Sequence, residues 1–157
     1  MKKFTILLML IVTSASFAQL KKVESKADSF VDVGKIQPLG MPNQMYCRKD
    51  AANNIYAFSY QDMEYKSLVE YEHFFFKDVD NAFDSLYDMI IAGYKDRPEK
   101  SIELQTEHNV IWVNFVKSFG MTMVTFSSTA DAEGKLHKGT SNMFTKKQIE
   151  KLFGKNK

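Results

Sequence analysis

The stretch VIWVNFVKSFGMTMVTFSS, residues 110–128, carries the only tryptophan of the chain, Trp112, and its densest run of β-branched and aromatic residues. Such residues suit the pleated surface of a strand, where successive side chains point to opposite faces. Both faces of the first half are largely apolar, which is typical of a strand covered on both sides. The pattern predicts a β-hairpin that turns at Ser118-Phe119-Gly120, with Gly120 supplying the positive φ that hairpin loops often need.

Shorter strand patterns precede this hairpin at residues 45–49, 55–60 and 102–107. Residues 65–76 fit two patterns, because their alternation predicts a half-buried strand while a helical stripe runs through the same residues. Their high content of aromatic and β-branched residues favours the strand. The inward face of that strand would consist of Tyr65, Val69, Tyr71, His73 and Phe75.

Two segments have the spacing of amphipathic helices. The first covers residues 80–94, with Asp80 as the N-cap that accepts an otherwise unpaired amide hydrogen. The second covers residues 146–153, where Thr145 and Gln148 have the spacing of a capping box. The apolar stripe of the first helix would consist of Phe83, Leu86, Tyr87, Ile90 and Tyr94.

These segments predict an α+β fold with the element order β-β-β-α-β-β-β-α, and residues 136–143 would be a weak strand or a loop. We expect a single antiparallel sheet of about six strands, with one long helix and a short C-terminal helix packed on it. Residues 43–157 would form one domain. Residues 19–42, which glycine and proline interrupt, would form an extended N-terminal arm.

Residues 1–18 have the three parts of a secretory signal peptide. Lys2 and Lys3 precede an apolar run, and small residues lead up to Ala18, after which we expect cleavage. The apolar run is too short to span a bilayer comfortably, so no transmembrane segment is expected after cleavage. The sequence therefore predicts an exported protein that is periplasmic or secreted.

The charge balance argues against one class of partner. The net charge of the chain is +2, and loss of Lys2 and Lys3 with the signal peptide would bring it to zero. A neutral domain lacks the basic footprint of a nucleic-acid-binding protein, so no nucleic-acid partner is expected. The hydrophobic content of 45% is typical of a folded domain rather than a disordered one.

Residues that could carry catalysis are few and scattered. The chain has one cysteine, Cys47, and three histidines, His73, His108 and His137, whose spacings match no metal-binding or nucleophile motif. A lone cysteine is most often a small buried residue. We therefore predict no cofactor, metal site or catalytic residue. An unrecognised hydrolase would need a histidine within hydrogen-bond reach of a nucleophile or carboxylate in a cleft.

The leading hypothesis is a non-enzymatic exported domain that binds a protein or another envelope component. If the helices cover only one face of the sheet, the hairpin offers an apolar groove on the other. The lining of that groove would be Trp112, Val116, Met121 and Met123. Truncation of Trp112 to alanine is predicted to cost about 3–5 kcal/mol, as is typical of a core aromatic residue. The alternative function is a small-ligand carrier, whose aromatic pocket would be lined by Tyr56, Phe58, Tyr71 and Phe83.

Overall fold

The computed structural model describes residues 29–64, 68–136 and 138–156. The expected signal peptide, residues 1–18, lies outside the described residues, and so do Tyr65 and His137. In chain order the elements are β1 (Phe30–Ile36), β2 (Met45–Asp50), β3 (Ile55–Gln61), β4 (Tyr71–Lys77), α1 (Ala82–Asp96), β5 (Ile102–Gln105), β6 (Val110–Ser118), β7 (Met121–Thr129), β8 (Lys138–Thr140) and α2 (Lys146–Leu152).

The strands form two antiparallel sheets of four, so the prediction of a single sheet of about six strands is wrong. The first sheet has the order β1-β2-β3-β4, and the second has the order β5-β6-β7-β8. Alternation of side chains identifies a strand, but it does not show which strands pair across the helix that separates β4 from β5. The α+β class itself is confirmed.

The first strand lies in the segment that the sequence assigns to an N-terminal arm. β1 pairs antiparallel with β2, with Ile36 opposite Met45, and its register shifts between Asp32 and Gly34. Mixed charges and a glycine in this strand hide the alternation that marks the other strands. Residues 30–36 thus contribute an edge strand to the first sheet.

The hairpin of residues 110–128 is confirmed as β6 and β7, with Val113 opposite Phe126. Its loop has two residues, Phe119 and Gly120, one fewer than predicted, and their φ angles are 49° and 79°. Two consecutive positive φ angles are typical of a type I′ turn, whose twist matches that of the flanking strands. The tighter turn fixes the register of β6 and β7, the longest strands among the described residues.

The core lies between the inner faces of the two sheets and the helices. At one end the sheets meet directly, since the ring centroids of Phe74 and Phe126 are 6.2 Å apart. The Tyr60 hydroxyl lies 2.8 Å from Ser128 Oγ of the other sheet and donates to the carbonyl of Gly139 at 3.1 Å. Burial raises the pKa of Tyr60, so this hydroxyl stays neutral and serves as an internal polar link.

The helix α1 packs against both sheets through its predicted stripe. Phe83 stacks on Tyr56 of the first sheet with ring centroids 3.8 Å apart. Tyr94 meets Phe115 of the second sheet edge-on, with centroids 5.9 Å apart. All five stripe residues are buried or packed against the core, which confirms the stripe.

The predicted start of this helix is wrong by two residues. Asp80 and Asn81 both have positive φ, and Asn81 makes no side-chain capping bond, so the helix begins at Ala82. The capping acceptor is Asp78 instead, whose Oδ1 accepts the backbone N–H of Phe83 at 3.0 Å. A carboxylate before the first turn satisfies an unpaired amide from either position, so the acidic pair alone does not identify the cap.

The C-terminal helix α2 has the predicted capping box, in which Gln148 accepts the backbone N–H of Thr145 and donates its own to the Thr145 side chain. Its apolar face packs on the first sheet at Gly34 of β1. A Cβ atom there would lie 2.5 Å from the carbonyl oxygen of Leu152 and closer still to that of Lys151. Only glycine lets the helix backbone approach this strand so closely.

The predicted strand is present as β4, but it begins at Tyr71, so residues 68–70 lie outside it and Val69, predicted to point inward, is 59% exposed. The predicted inward face is also wrong. Phe74 is fully buried and pairs with Phe58 across the sheet, so the inner face carries the even-numbered residues. Tyr71, His73 and Phe75 lie on the outer face. With three consecutive phenylalanines both alternations look apolar, and packing against Phe58 and Phe126 selects the one around Phe74.

Candidate functional site

A cleft of about 500 Å³ opens between the two sheets beside the first half of α1. Its floor consists of residues that are buried or half-buried, and its rim consists of exposed ones. The floor is lined by Ile55, Phe76, Ala82, Leu86, Met89, Leu104, Thr106 and Ile111. The rim is formed by Phe75, Lys77, Val79, Ser85, Gln105, Glu107 and His108.

The fold produces this cleft because the two sheets diverge from their contact at Phe74. Phe76, two residues further along β4, is only half-buried although it points to the same inner face. On the second sheet, Leu104 and Ile111 lie opposite each other and close the floor. Leu86 of α1 supplies the third wall. Between β4, the second sheet and α1, an apolar gap therefore stays open to solvent.

Asn109 fixes the position of the second sheet, which forms one wall of the cleft, relative to β4. This side chain is 3% exposed, and its Nδ2 donates to the carbonyl of Thr129 at 2.6 Å and to that of His73 at 3.5 Å. Its Oδ1 accepts the backbone N–H of Phe75 at 3.4 Å. Asn109 thus pairs with the free edge of β4 as a strand backbone would. It ties the first sheet to the turn that carries the cleft rim.

The polar groups of the cleft are concentrated on the rim. In the floor, Thr106 Oγ1 is already used, since it donates to the carbonyl of Asn109 and accepts the N–H groups of His108 and Asn109. At the rim, Gln105 donates to the carbonyl of Ala132 at 3.0 Å. The floor therefore offers an apolar surface with no unused side-chain donor or acceptor among the described residues.

An aromatic pair forms one side of the rim. The His108 ring lies against Phe75 with ring centroids 4.9 Å apart and planes inclined by 37°. His108 Nε2 lies 3.9 Å from the carboxylate of Glu107, a long and exposed contact. This contact leaves the positions of Glu107 and His108 adjustable on the surface.

The cleft residues were not proposed as a site from the sequence. The available signal is Phe74-Phe75-Phe76, because three consecutive aromatics on a strand cannot all face one core. Phe75 is accordingly 37% exposed at the rim. The rest of the lining consists of ordinary apolar residues. Whether such residues pack together or leave a cleft depends on tertiary packing, which the sequence pattern does not show.

The four residues predicted as a partner surface share the outer face of the second sheet. Val116 pairs with Met123, and Trp112 lies on the same side of β6, opposite Ser127 of β7. Met121 is 54% exposed, while the other three are half-buried. Since α1 packs on the opposite face through Phe115, no described helix covers this surface.

Trp112 itself is engaged with polar neighbours. Its Nε1 donates to Glu103 at 3.1 Å, and the Lys138 ammonium lies 3.8 Å from the centre of its ring. Trp112 is absent from the buried core, so the core expectation of about 3–5 kcal/mol for its truncation does not apply. Half-burial and an exposed cation–π contact indicate a smaller loss, about 1–2 kcal/mol.

The predicted aromatic pocket is not assembled. Tyr56, Phe58 and Phe83 are close together, but their rings fill the space between them, and all three are buried. Tyr71 lies on the opposite face of the first sheet, where its hydroxyl donates to the carbonyl of Asn43 at 2.7 Å. The space that was expected to be a pocket is filled by the side chains of the core.

The residues considered for a hydrolase are separated or buried. His73 Nδ1 lies 2.7 Å from Ser59 Oγ across β3 and β4, but Ser59 is only 5% exposed and neither residue lines the cleft. Cys47 is fully buried on β2, and burial raises the pKa of its thiol, so the nucleophilic thiolate is disfavoured. The close contact between His73 and the Ser59 hydroxyl therefore lies outside the cleft.

Within residues 29–64, 68–136 and 138–156, no three histidine, cysteine, aspartate or glutamate side chains are grouped so that they could hold a metal ion. The helices in these ranges are all too short or too polar to cross a membrane. Comparison with known proteins found no family model, no curated protein and no solved structure that matches the chain. Within the described part of the chain, the cleft and the outer face of the second sheet both carry exposed apolar side chains.

Proposed function

We propose that this protein is a non-enzymatic binding domain and that the cleft between its two sheets takes a small apolar molecule. The observation that carries the proposal is the apolar floor, which solvent reaches although it continues directly into the core. Ligand sites of soluble proteins are typically concave, largely apolar and about 300–1,000 Å³ in volume. The cleft, at about 500 Å³, lies within this range.

Exposed apolar surface at the rim supports the same proposal. Phe75 and Val79 are 37% and 56% exposed, and they stand beside the opening rather than scattered over the surface. Removing such side chains from water is favourable by about 25 cal/mol per Å². A ligand that enters the cleft would cover these two residues together with the floor.

Blocking the cleft tests the proposal. N-phenylnaphthylamine, a neutral apolar fluorophore, should bind to the full chain, with increased fluorescence on transfer from water. Ser85 lies at the rim on α1 and its side chain is exposed. Ser85→Phe should fill the opening and weaken fluorophore binding about tenfold, which corresponds to about 1.4 kcal/mol.

The matched control is Ser118→Phe, the same change at the end of β6 on the outer face of the second sheet. This variant should bind the fluorophore as the unmodified protein does. Circular dichroism should show both variants folded. Equal weakening by both changes, or no binding by the unmodified chain, would contradict a binding site in the cleft.

A second candidate is a protein-binding surface on the outer face of the second sheet. The observation that favours it is the shared orientation of Trp112, Val116, Met121 and Met123 on a face that no described helix covers. Methionine side chains adapt to varied apolar partners. The contacts of Trp112 with Glu103 and Lys138 weigh against it, because a partner would have to displace or cover them.

A further inference from the structure

We propose that the ligand of the cleft is an amphiphile with one aliphatic chain and one carboxylate, with the carboxylate held at the rim by Lys77. This inference rests on the proposed function, since it specifies the chemistry of a molecule bound in the same cleft. Its support comes from three properties of the described residues: the composition of the floor, the charge at the rim and the order of the two along the cleft.

The floor selects an apolar chain. Apart from Thr106, whose hydroxyl is occupied by three hydrogen bonds to the turn that contains it, the floor is made of hydrocarbon and thioether side chains. A polar group placed there would lose its water without gaining a partner, which costs several times more than a hydrogen bond returns. The buried part of the ligand is therefore hydrocarbon.

The rim selects an anion. Lys77 ends strand β4 at the opening, and no described carboxylate lies within ion-pair distance of its ammonium group. The acidic side chain of the rim, Glu107, has its carboxylate 3.9 Å from His108 Nε2, and 89% of that side chain is exposed. Lys77, which is exposed at the opening, is consequently the cation of the rim that is available to pair with an anionic ligand.

The charge count favours a carboxylate over a phosphate monoester. A single ammonium balances the one negative charge of a carboxylate. A phosphate monoester carries more than one negative charge at neutral pH, and its excess charge would face Glu107. The apolar rim residues Phe75 and Val79 are each two residues from Lys77 in the chain, so the junction between the aliphatic chain and the head group of the ligand would meet apolar side chains and a cation together.

Competition experiments separate this inference from the proposed function. Decanoate and decanol have the same chain and differ in the charge of the head group, and each would displace N-phenylnaphthylamine from the full protein. Decanoate should compete about tenfold more strongly than decanol, the difference that one ion pair in a partly desolvated site can supply. Decyl phosphate should compete less strongly than decanoate.

Replacement of the lysine makes the test specific. Lys77→Met should weaken competition by decanoate about tenfold and leave competition by decanol unchanged. Lys77→Arg should restore most of the loss, because it returns the positive charge. Lys117→Met, on the exposed part of β6, changes the net charge equally and should have no effect. Thermal unfolding of each variant verifies that it is folded.

The outcomes distinguish the two proposals. If decanol competes as strongly as decanoate, or Lys77→Met weakens both alike, the carboxylate inference is overturned while an apolar cleft ligand stands. If decyl phosphate competes most strongly, a phosphate head group replaces the carboxylate and the inference is again overturned. If neither the fluorophore nor any competitor binds, both proposals fail.

Discussion

At the scale of single residues, Asn109 links the two sheets that form the walls of the cleft. Its side chain joins the edge of β4 to Thr129 of β7, and it lies next to His108 in the turn before β6. The sequence shows only an asparagine in a polar turn, where it would ordinarily be explained by local turn geometry. Its burial to 3% reveals a role that local sequence does not encode.

Asn109→Ala should lower the free energy of unfolding by about 2–3 kcal/mol, because it leaves buried backbone groups of two strands without partners. Asn109→Asp keeps the size and the acceptor but removes the Nδ2 donor, so it should destabilise as well. Urea unfolding measures both changes. Asn114→Ala, the same truncation on the outer face of β6, removes an exposed hydrogen bond with Ser101 and a long one with Thr125, so it should cost less, about 1 kcal/mol. Equal costs at positions 109 and 114 would contradict the linking role of Asn109.

At the scale of elements, the sequence predicts what depends on neighbours along the chain. The α2 capping box and the β6–β7 hairpin follow from residues within a few positions of one another, and both are present. The inward face of β4 and the N-cap of α1 were predicted wrongly. The face of β4 depends on a distant contact, that of Phe74 with Phe126. The start of α1 depends on the left-handed turn at Asp80 and Asn81, a backbone conformation that the residue pattern does not reveal.

Gly34 is another position whose role cannot be predicted from local sequence, because no neighbouring residue indicates that α2 packs against it. Gly→Ala in a strand is usually stabilising when the backbone is compatible. Here the added methyl group would overlap the backbone of residues 151 and 152, which cannot yield as a side chain can. Gly34→Ala should therefore lower stability by about 1–3 kcal/mol, a typical cost of overpacking.

Thermal unfolding measures the effect of this glycine. Val31→Ala on the same strand is the control, because Val31 is 63% exposed and its truncation should change stability by about 0.5 kcal/mol or less. A Gly34→Ala variant as stable as the unmodified protein would mean that α2 is not seated on β1 as described. The ion pair between Lys155 and Asp84, which lowers the pKa of Asp84 at the surface, would then lose its geometric basis.

At the scale of the whole molecule, the arrangement of the two sheets creates the site. The sequence predicts an α+β fold with helices on a sheet, and within a single sheet no cleft of this kind arises. Division of the strands into two sheets, which meet at Phe74 and Phe126 and diverge beyond them, leaves Phe76 and Leu104 only half-buried at the cleft. The sequence does not reveal the cleft because it does not reveal that the strands divide into two sheets.

The two candidate surfaces lie on different sides of the second sheet, and this separation gives a direct measurement. Trp112 is the only tryptophan, so its indole N–H gives one resolved signal that reports on the outer face. The backbone amides of Ser85, Thr106 and His108 report on the cleft. A titration of the full chain with decanoate, followed by two-dimensional ¹H–¹⁵N NMR, observes both surfaces in one experiment.

We predict saturable shifts of the three cleft amides while the Trp112 indole signal stays in place. Ser85→Phe should abolish these shifts, and Ser118→Phe should preserve them. Movement of the Trp112 signal with the cleft amides unchanged, or a spectrum that decanoate leaves unaltered throughout, would contradict the claim that the cleft between the two sheets is the binding site.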